Sequence, residues 1–291
     1  MAEARPRPPW YFWAMLFFPL RLLLRLAVAA PLCALATEEV PFITSPDNVT
    51  LEMLRLADVK ATDHVIDLGS GDGRIVILAA RRFGASGLGV EIDPQLVALS
   101  QKNARDSGVA ERAVFREQDL FKTDLTKASV ITMYLLPAVN LQLRPVLLDL
   151  KPGTRLVSHD WDMGDWKPDQ TTVVPVPDKK VGLEKSSKVH LWVVPAKVDG
   201  LWCGTGPLKD FGLRLAQRYQ EVEGTLTRKG RDRRMTARMQ GATMRTTPHE
   251  RGALVADAVG SELRITGGEG PFMLLRGQVF QRAAGASCGG G

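Results

Sequence analysis

Cysteine is scarce in this chain, and the few cysteines have no evident pairing. Among 291 residues only Cys33, Cys203 and Cys288 occur, an odd number without the spacing of zinc ligands. The sequence therefore predicts no disulfide framework, no metal site and no redox chemistry. Apolar residues make up 45% of the chain and charged residues 24%, which excludes a disordered or fibrous protein.

A strong surplus of one charge is missing from the middle of the chain. The net charge is +6, yet residues 37–197 carry 20 basic against 22 acidic residues. Since nucleic-acid binding needs a basic surface, we expect no nucleic-acid partner. The basic run RKGRDRR (residues 228–234) has no aromatic residues between its charges. We interpret it as a solvated hairpin, with contact to anionic lipid as the alternative.

A long apolar run lies near the N-terminus. Residues 10–36 are long enough to cross a bilayer as a helix, but Arg21 and Arg25 interrupt them. Three interpretations stay open: a signal peptide cleaved near Ala36, a helix lying in the membrane surface, or a tilted anchor whose arginines reach the headgroups. We therefore expect residues 1–36 to be a signal or anchor segment. The protein is then membrane-associated, or exported after cleavage.

Residues 37–197 alternate between apolar strand patterns and amphipathic helices. Ser45 and Pro46 predict the start of a first helix. Strands are predicted at 64–68, 87–91, 113–118, 130–134 and 155–159, with helices at 74–83, 94–107 and 139–150 between them. Repeated strand, helix, strand units imply parallel strands with right-handed crossovers. With an antiparallel pair at 171–176 and 188–196, the sequence predicts an α/β fold: a doubly wound, mostly parallel, seven-stranded Rossmann-like sheet.

The remainder of the chain loses the helical periodicity. Residues 198–284 show short strand patterns broken by glycine, which predict a small all-β module. The glycine-rich tail, residues 285–291, is predicted to be disordered.

A glycine-rich loop follows the first predicted strand. The stretch VIDLGSGDGR, residues 65–74, departs from the dinucleotide pattern G-x-G-x-x-G because Arg74 stands where the third glycine would be. Unpaired N–H groups at the start of a helix suit a polar ligand. Asp67 favours a cation over a pyrophosphate, since opposite charges 4 Å apart gain about 4 kcal/mol at an effective dielectric of 20. S-adenosylmethionine carries a sulfonium and an ammonium and has no phosphate.

Two further acids follow the next two predicted strands. Glu91 is placed to accept hydrogen bonds from the ribose hydroxyls of one bound nucleoside. Asp119 is placed to accept a hydrogen bond from the adenine amino group of the same nucleoside. The predicted cofactor-binding residues are Asp67, Gly69, Ser70, Gly71, Gly73, Glu91, Asp93, Asp119 and Leu120.

Over residues 40–196 these motifs resemble the class I S-adenosylmethionine-dependent methyltransferases. PFITSPDNVTLEMLRLADV, YLLPAVNLQLRP and LVSHDWDMGDW are similar to bacterial relatives of the mitochondrial protein-lysine methyltransferases that modify the adenine nucleotide translocase and the ATP synthase c-subunit. The resemblance implies lysine N-methylation of a protein, with a membrane protein as one candidate. A small-molecule methyltransferase of the same fold, or a non-catalytic protein that keeps the cofactor pocket, are the alternatives.

The candidate catalytic residues follow the fourth and fifth predicted strands. The fourth strand ends in MYLLP, without the Asn or Asp that amide and adenine methylating members often carry there. An apolar channel with one phenol, Tyr134, suits an alkyl amine, because burial lowers the pKa of a lysine and yields the neutral nucleophile. His159 and Asp160 are the other candidates for positioning the amine or accepting its proton. Asp162, Trp161 and Trp166 are weaker candidates, and structural roles stay open for these three residues as well as for His159 and Asp160.

Overall fold

The structure is a computed structural model that describes residues 43–179, 184–248 and 252–288. The predicted signal or anchor segment, residues 1–36, lies outside the described residues. Within the described ranges, no helix combines the length and the apolar character needed to cross a bilayer.

A seven-stranded sheet occupies residues 64–193, in the order β3-β2-β1-β4-β5-β7-β6. Its strands are β1 (His64–Leu68), β2 (Ser86–Glu91), β3 (Ala113–Glu117), β4 (Val130–Met133), β5 (Arg155–His159), β6 (Gln170–Pro175) and β7 (Ser186–Val193). The first five strands are parallel, and β7 runs antiparallel to both β5 and β6. The predicted doubly wound, mostly parallel sheet is confirmed.

Helices cover both faces of the sheet because neighbouring strand residues point to opposite sides. They are α1 (Asp47–Leu56), α2 (Arg74–Leu78), which continues as one π-helical turn over Ala79–Phe83, α3 (Pro94–Asp106) and α4 (Pro137–Leu148). Val65 belongs to a core cluster with residues of α1, and Ile66 to another with residues of α4. The predicted cap at Ser45 is wrong, since Pro46 is the N-cap of α1 and makes no side-chain capping bond.

The predicted β module is a closed antiparallel barrel of eight strands. They are β8 (Gly200–Gly204), β9 (Phe211–Arg218), β10 (Glu221–Arg228), β11 (Arg231–Gln240), β12 (Thr243–Thr246), β13 (Leu254–Val259), β14 (Glu262–Gly268) and β15 (Val279–Arg282). Each strand pairs with its neighbours in the chain, and β15 pairs with β8 to close the ring. The basic run forms the β10–β11 hairpin, whose turn is Lys229 and Gly230, both with positive φ.

One end of the barrel packs against the sheet domain. The Gln220 side chain, in the β9–β10 turn, accepts a hydrogen bond from Trp166 Nε1 at 2.9 Å. The backbone N–H of Ala196 donates to the Gly241 carbonyl, in the β11–β12 turn, at 2.8 Å. Arg238 pairs with Asp169 at 2.9 Å. The sheet domain and the barrel accordingly group as one compact unit.

The expectation that the cysteines form no disulfide is wrong. Cys203 on β8 and Cys288 are joined, although 85 positions separate them in the chain. Closure of the barrel brings their Cα atoms within 5.4 Å, a proximity that no local spacing reveals. Of the glycine-rich tail, residues 285–288 are therefore tied to β8, and residues 289–291 lie outside the described part.

Candidate active site

The glycine loop connects β1 to α2 at the carboxyl edge of the sheet. Gly69, Gly71 and Gly73 have φ angles of 73°, 52° and 83°. Residues other than glycine rarely adopt these positive backbone angles. A Cβ on Gly73 would lie 2.6 Å from the Phe115 ring and 2.8 Å from the Ser100 side chain. Gly73 is therefore required both by its backbone angle and by close packing against its neighbours.

Asp67 is buried near the end of β1, with 2% of its surface exposed. Its Oδ1 accepts a hydrogen bond from Thr132 Oγ1 on β4 at 2.7 Å. Burial raises the pKa of the Asp67 carboxyl to about 7, with the charges of Glu91 and Asp72 adding to the effect. A cation held beside this carboxyl would restore its charged form. The site therefore fits the positively charged cofactor predicted from the sequence.

Glu91 joins the end of β2 to the glycine loop. Its Oε2 accepts a hydrogen bond from the N–H of Gly71 at 3.0 Å, and its Oε1 accepts from the N–H of Ile92 at 2.7 Å and of Asp93 at 3.2 Å. Asp67, Gly71 and Glu91 are thus brought together. The Asp93 side chain instead caps α3 by accepting from the N–H of Gln95 at 2.7 Å.

Ser70 lies buried beneath the loop. Its Oγ has no hydrogen-bond partner within the described ranges. The hydroxyl occupies space left by Gly89 on β2, where a Cβ would come within 2.6 Å of it. An unpaired buried hydroxyl is costly, so this atom is a candidate to meet a polar group of the cofactor.

Asp119 lies beyond the end of β3, beside Glu91. The backbone N–H of the preceding residue, Gln118, donates to the Glu91 carbonyl at 2.8 Å. The Asp119 carboxylate caps the following turn by accepting from the N–H of Phe121 at 2.9 Å, and Lys122 Nζ lies 3.4 Å away. Leu120 packs against the core cluster that contains α4 residues. The three acids share one edge of the sheet, but only Asp67 and Glu91 meet at the loop.

Tyr134 and His159 form a stacked pair beyond β4 and at the end of β5. Their ring centroids are 3.9 Å apart at an interplanar angle of 28°. His159 is 1% exposed, and both ring nitrogens are engaged: Nδ1 with Ser45 Oγ at 2.8 Å and Nε2 with Ser187 Oγ at 2.9 Å. Burial lowers the pKa of the imidazole to about 4, against the opposing charge of Asp160. His159 is therefore neutral near pH 7 and holds the Tyr134 ring in place.

The Asp160 carboxylate already binds other groups of the protein. Its carboxylate contacts Lys179 Nζ at 2.8 Å and accepts from the backbone N–H of Lys188 at 2.9 Å. Burial raises the pKa of this carboxyl, but these two partners outweigh burial and hold the pKa below its usual value. The backbone of Asp160 has a positive φ of 61°. This strained turn redirects the chain after β5.

The Tyr134 hydroxyl is the polar group of this cluster that remains available to a substrate. It has no hydrogen-bond partner among the residues the structure describes. Burial raises the pKa of the phenol, and the Asp160 charge adds to this, so Tyr134 stays protonated at neutral pH. It can accept a hydrogen bond from an amine N–H and orient the lone pair.

The three weaker candidates have contacts elsewhere. Asp162 accepts from the N–H of Gly164 at 3.0 Å. Trp161 is 40% exposed, whereas Trp166 is fully buried where the barrel meets the sheet domain. Trp166 therefore fills the core rather than the wall of a pocket.

Sequence reasoning missed the residues that hold the candidate side chains in place. Ser45 and Ser187 bond His159, Lys179 pairs with Asp160, and Thr132 donates to Asp67. The sequence predicts a helix cap at Ser45, whereas its hydroxyl bonds His159. The others are polar residues in or near strands, and no local spacing links them to the edge of the sheet.

The same region of the chain matches known proteins. The family profile described as "ANTKMT methyltransferase domain" matches residues 67–170. A protein-lysine N-methyltransferase of Saccharolobus islandicus is 39% identical over 157 residues, which are 53% of this chain and 94% of that protein. The lysine N-methyltransferase of Mus musculus that is named for the c-subunit of ATP synthase is 34% identical over 149 residues, 50% of this chain and 60% of that protein.

A solved structure is also similar. It is described as an RNA methyltransferase from Salinibacter ruber in complex with S-adenosyl-L-homocysteine, and it is 51% identical with a TM-score of 0.48. The similarity covers 54% of this chain and 96% of the other. The relative from Saccharolobus islandicus, matched over nearly its whole length, places this chain in a family. The chain belongs to the S-adenosylmethionine-dependent protein-lysine N-methyltransferases.

Proposed function

We propose that this chain transfers a methyl group from S-adenosylmethionine to the side-chain amine of a lysine in a protein. The observation that carries the proposal is the Tyr134–His159 pair at the carboxyl edge. The pair exposes one phenol hydroxyl to a substrate, and a neutral imidazole stacks on the phenol ring. The nearest carboxylate, Asp160, is paired with Lys179. Such a surface suits an alkyl amine, which needs alignment and desolvation more than a strong base.

Some residues of the site would bind the cofactor, and another would align the lysine amine. Asp67, Glu91 and the glycine loop would hold the cofactor, which supplies a methyl group on a sulfonium leaving group. Tyr134 would accept a hydrogen bond from the lysine amine and direct its lone pair at the methyl carbon. The new N–C bond forms as the C–S bond breaks, and the electron pair of the broken bond stays on sulfur. The extra proton of the methylated amine is released to water.

Alignment of this kind accounts for the small number of acid and base groups. Holding two reactants in line is worth about 7 to 11 kcal/mol of the barrier. The amine must be neutral before it attacks, and burial beside the Tyr134 ring favours that form. His159, with both nitrogens engaged by serine hydroxyls, positions Tyr134 and does not exchange a proton with the substrate.

The test is transfer of an isotope-labelled methyl group. The purified full chain, labelled S-adenosylmethionine and a cell extract with its membranes are combined, and labelled proteins are digested and analysed by mass spectrometry. We expect a mass increase of one or more methyl groups on lysine. Asp67→Asn, which removes the charge beside the cofactor, is the inactive control, and Asp106→Asn, on the exposed face of α3, is the matched active one. Label in RNA or in small molecules, with none on lysine, contradicts the proposal.

We further propose that residues 1–36 keep the enzyme at a membrane. The support is the apolar run of residues 10–36, in which Arg21 and Arg25 lie four positions apart and so on one face of a helix. Several relatives are named for membrane proteins as their substrates, namely the c-subunit of ATP synthase and the adenine nucleotide translocase. Fractionation of cells that express the full chain or residues 37–291 tests this. The full chain should sediment with membranes and the shortened chain should not. Equal distribution of the two contradicts the proposal.

A further inference from the structure

Helix α4 has apolar side chains on its exposed side as well as on its buried side. Leu143 and Leu147 belong to the core cluster between this helix and the sheet. On the opposite side, Leu141 is 43% exposed and Val146 is 53% exposed. A helix that is apolar on every side is normally buried. The exposed side of α4 is therefore the kind of surface that another molecule covers.

The exposed residues of α4 form one continuous surface. They recur every three to four positions, which places them along one side of the helix. We call this surface the α4 face and define it by Leu136, Ala138, Leu141, Gln142, Pro145 and Val146. Gln142 is the polar member of the set, and none of the six is charged.

The α4 face begins at the candidate active site. Leu136, the N-cap of α4, stands two positions after Tyr134, where β4 has just ended at the carboxyl edge of the sheet. The loop after β5 runs alongside the same helix, because Asn140 Nδ2 donates to the Trp161 carbonyl at 3.3 Å. The Trp161 side chain is 40% exposed and extends the apolar surface. A molecule that lies along the α4 face therefore has one end beside the Tyr134 hydroxyl.

The charges beside the α4 face are negative or already paired. Arg144, the cation of this helix, forms an ion pair with Asp165. Asp162 lies next to the helix, since its carbonyl accepts from Asn140 Nδ2 at 3.3 Å. Its carboxylate is exposed and has no ion pair within the described ranges. A negative border is unfavourable beside the anionic lipids of a membrane and favourable beside a protein that presents a lysine.

We propose that the α4 face binds an apolar helical segment of the methyl-accepting protein, with the target lysine at the end of this segment beside Tyr134. The inference rests on the proposed lysine methylation and adds the surface that recognises the acceptor. From Ala138 to Val146 the face is about 12 Å long, which matches two turns of a second helix. The small Ala138 beside the larger Leu141 provides the groove and ridge that helix packing uses.

The experiment compares the binding of two synthetic peptides to the full chain by fluorescence anisotropy. One peptide is an amphipathic helix with leucine and alanine on one side, glutamine on the other and a single lysine near one end. The other peptide contains the same residues in an order that removes the apolar side. We expect the amphipathic peptide to bind about tenfold more tightly, the gain expected for covering partly exposed apolar side chains.

A double variant connects this preference to the α4 face. Leu141→Gln combined with Val146→Gln removes apolar surface without adding charge, and should remove the preference for the amphipathic peptide. Val173→Gln combined with Val259→Gln is the matched control, because these valines are 58% and 70% exposed and lie outside the α4 face. The control should keep the preference. Titration with S-adenosylmethionine should give the parent affinity for both double variants, which shows that they are folded.

The outcomes separate the acceptor from other occupants of the face. Equal binding of the two peptides by the parent overturns the proposal, and so does an unchanged preference in Leu141→Gln/Val146→Gln. Sedimentation that shows a dimeric parent and a monomeric variant assigns the face to contact between copies of the chain and overturns the proposal as well. Labelling of the cell extract is measured separately. Absence of methylated lysine there contradicts the proposed function, whereas equal peptide binding contradicts only the docking surface.

Discussion

Tyr134 is the residue on which the proposed methyl transfer depends most directly. Its ring is held against His159, and its hydroxyl is available to a substrate. The phenylalanine variant removes only the hydroxyl and preserves the stacking. It therefore separates alignment of the amine from support of the local structure.

We predict that Tyr134→Phe lowers kcat about ten- to a hundredfold, the loss expected for one hydrogen bond to a charged or reacting group. Affinity for S-adenosylmethionine should change little, because the cofactor residues are on the neighbouring loop. Single-turnover methylation and isothermal titration measure the two quantities. Equal loss of cofactor binding and turnover would show that Tyr134 supports the cofactor site rather than the amine.

Asp67 and His159 make opposite contributions to the pH dependence of stability. Asp67 has its pKa raised to about 7 in the folded protein, so its contribution to stability is present at low pH and is lost as the pH rises from about 4 to 7. His159 has its pKa lowered to about 4, so its contribution is present above pH 6.5 and is lost as the pH falls toward 4. Between these limits the two effects largely cancel.

We predict that Asp67→Asn removes this cancellation. The unfolding free energy of the parent protein should change little between pH 4.5 and 6.5. That of the variant should rise with pH, so that the difference between them changes by about 1.4 kcal/mol per pH unit. Urea unfolding of both cofactor-free proteins across this range provides the measurement. Parallel curves would mean that Asp67 is charged in the folded state.

At the scale of elements, the β1–α2 loop determines the position of the cofactor site. The alternation of apolar residues predicts β1 and α2, and the three glycines predict the tight turn between them. The sequence does not reveal that β2 closes this turn through Glu91, nor that Phe115 of β3 packs against Gly73. Both contacts join segments that are distant in the chain.

Two glycines with similar backbone angles test this packing. Gly73 and Gly108 have φ angles of 83° and 66°, but only Gly73 has neighbours where a Cβ would lie. We expect Gly108→Ala to cost about 1 kcal/mol of stability, and Gly73→Ala to cost a further 1 to 3 kcal/mol, roughly, from overpacking. Gly73→Ala should also abolish cofactor binding. Thermal denaturation and titration with S-adenosylmethionine distinguish the two variants, and equal behaviour contradicts the packing explanation.

At the scale of the whole molecule, the sheet and the barrel form one compact unit. Trp166 and Gln220 join them through side chains, and the disulfide between Cys203 and Cys288 ties the end of the barrel chain to its first strand. Because these residues are distant in sequence, the arrangement depends on complete folding of both parts.

We predict that Cys288→Ser destabilises the barrel by about 4.5 kcal/mol, the loss of chain restriction expected for a bridge across 85 residues. Thermal unfolding followed by near-ultraviolet circular dichroism, to which Trp202 contributes, should show a lower midpoint. Reduction of the parent protein should produce the same shift, whereas Cys33→Ser should leave it unchanged. If reduction leaves the parent unchanged, the bridge contributes nothing to stability.

The sequence alone determined the strand and helix pattern, the glycine loop and the acids at the ends of three strands, because these features depend on local periodicity and on residue types at short spacing. Only the tertiary structure decided that Ser45 and Ser187 clamp His159, that Cys203 meets Cys288, and that β15 pairs with β8 to close the barrel. The physical reason is that these contacts join residues tens of positions apart. Their proximity is produced by sheet order and barrel closure, which no short window of sequence contains.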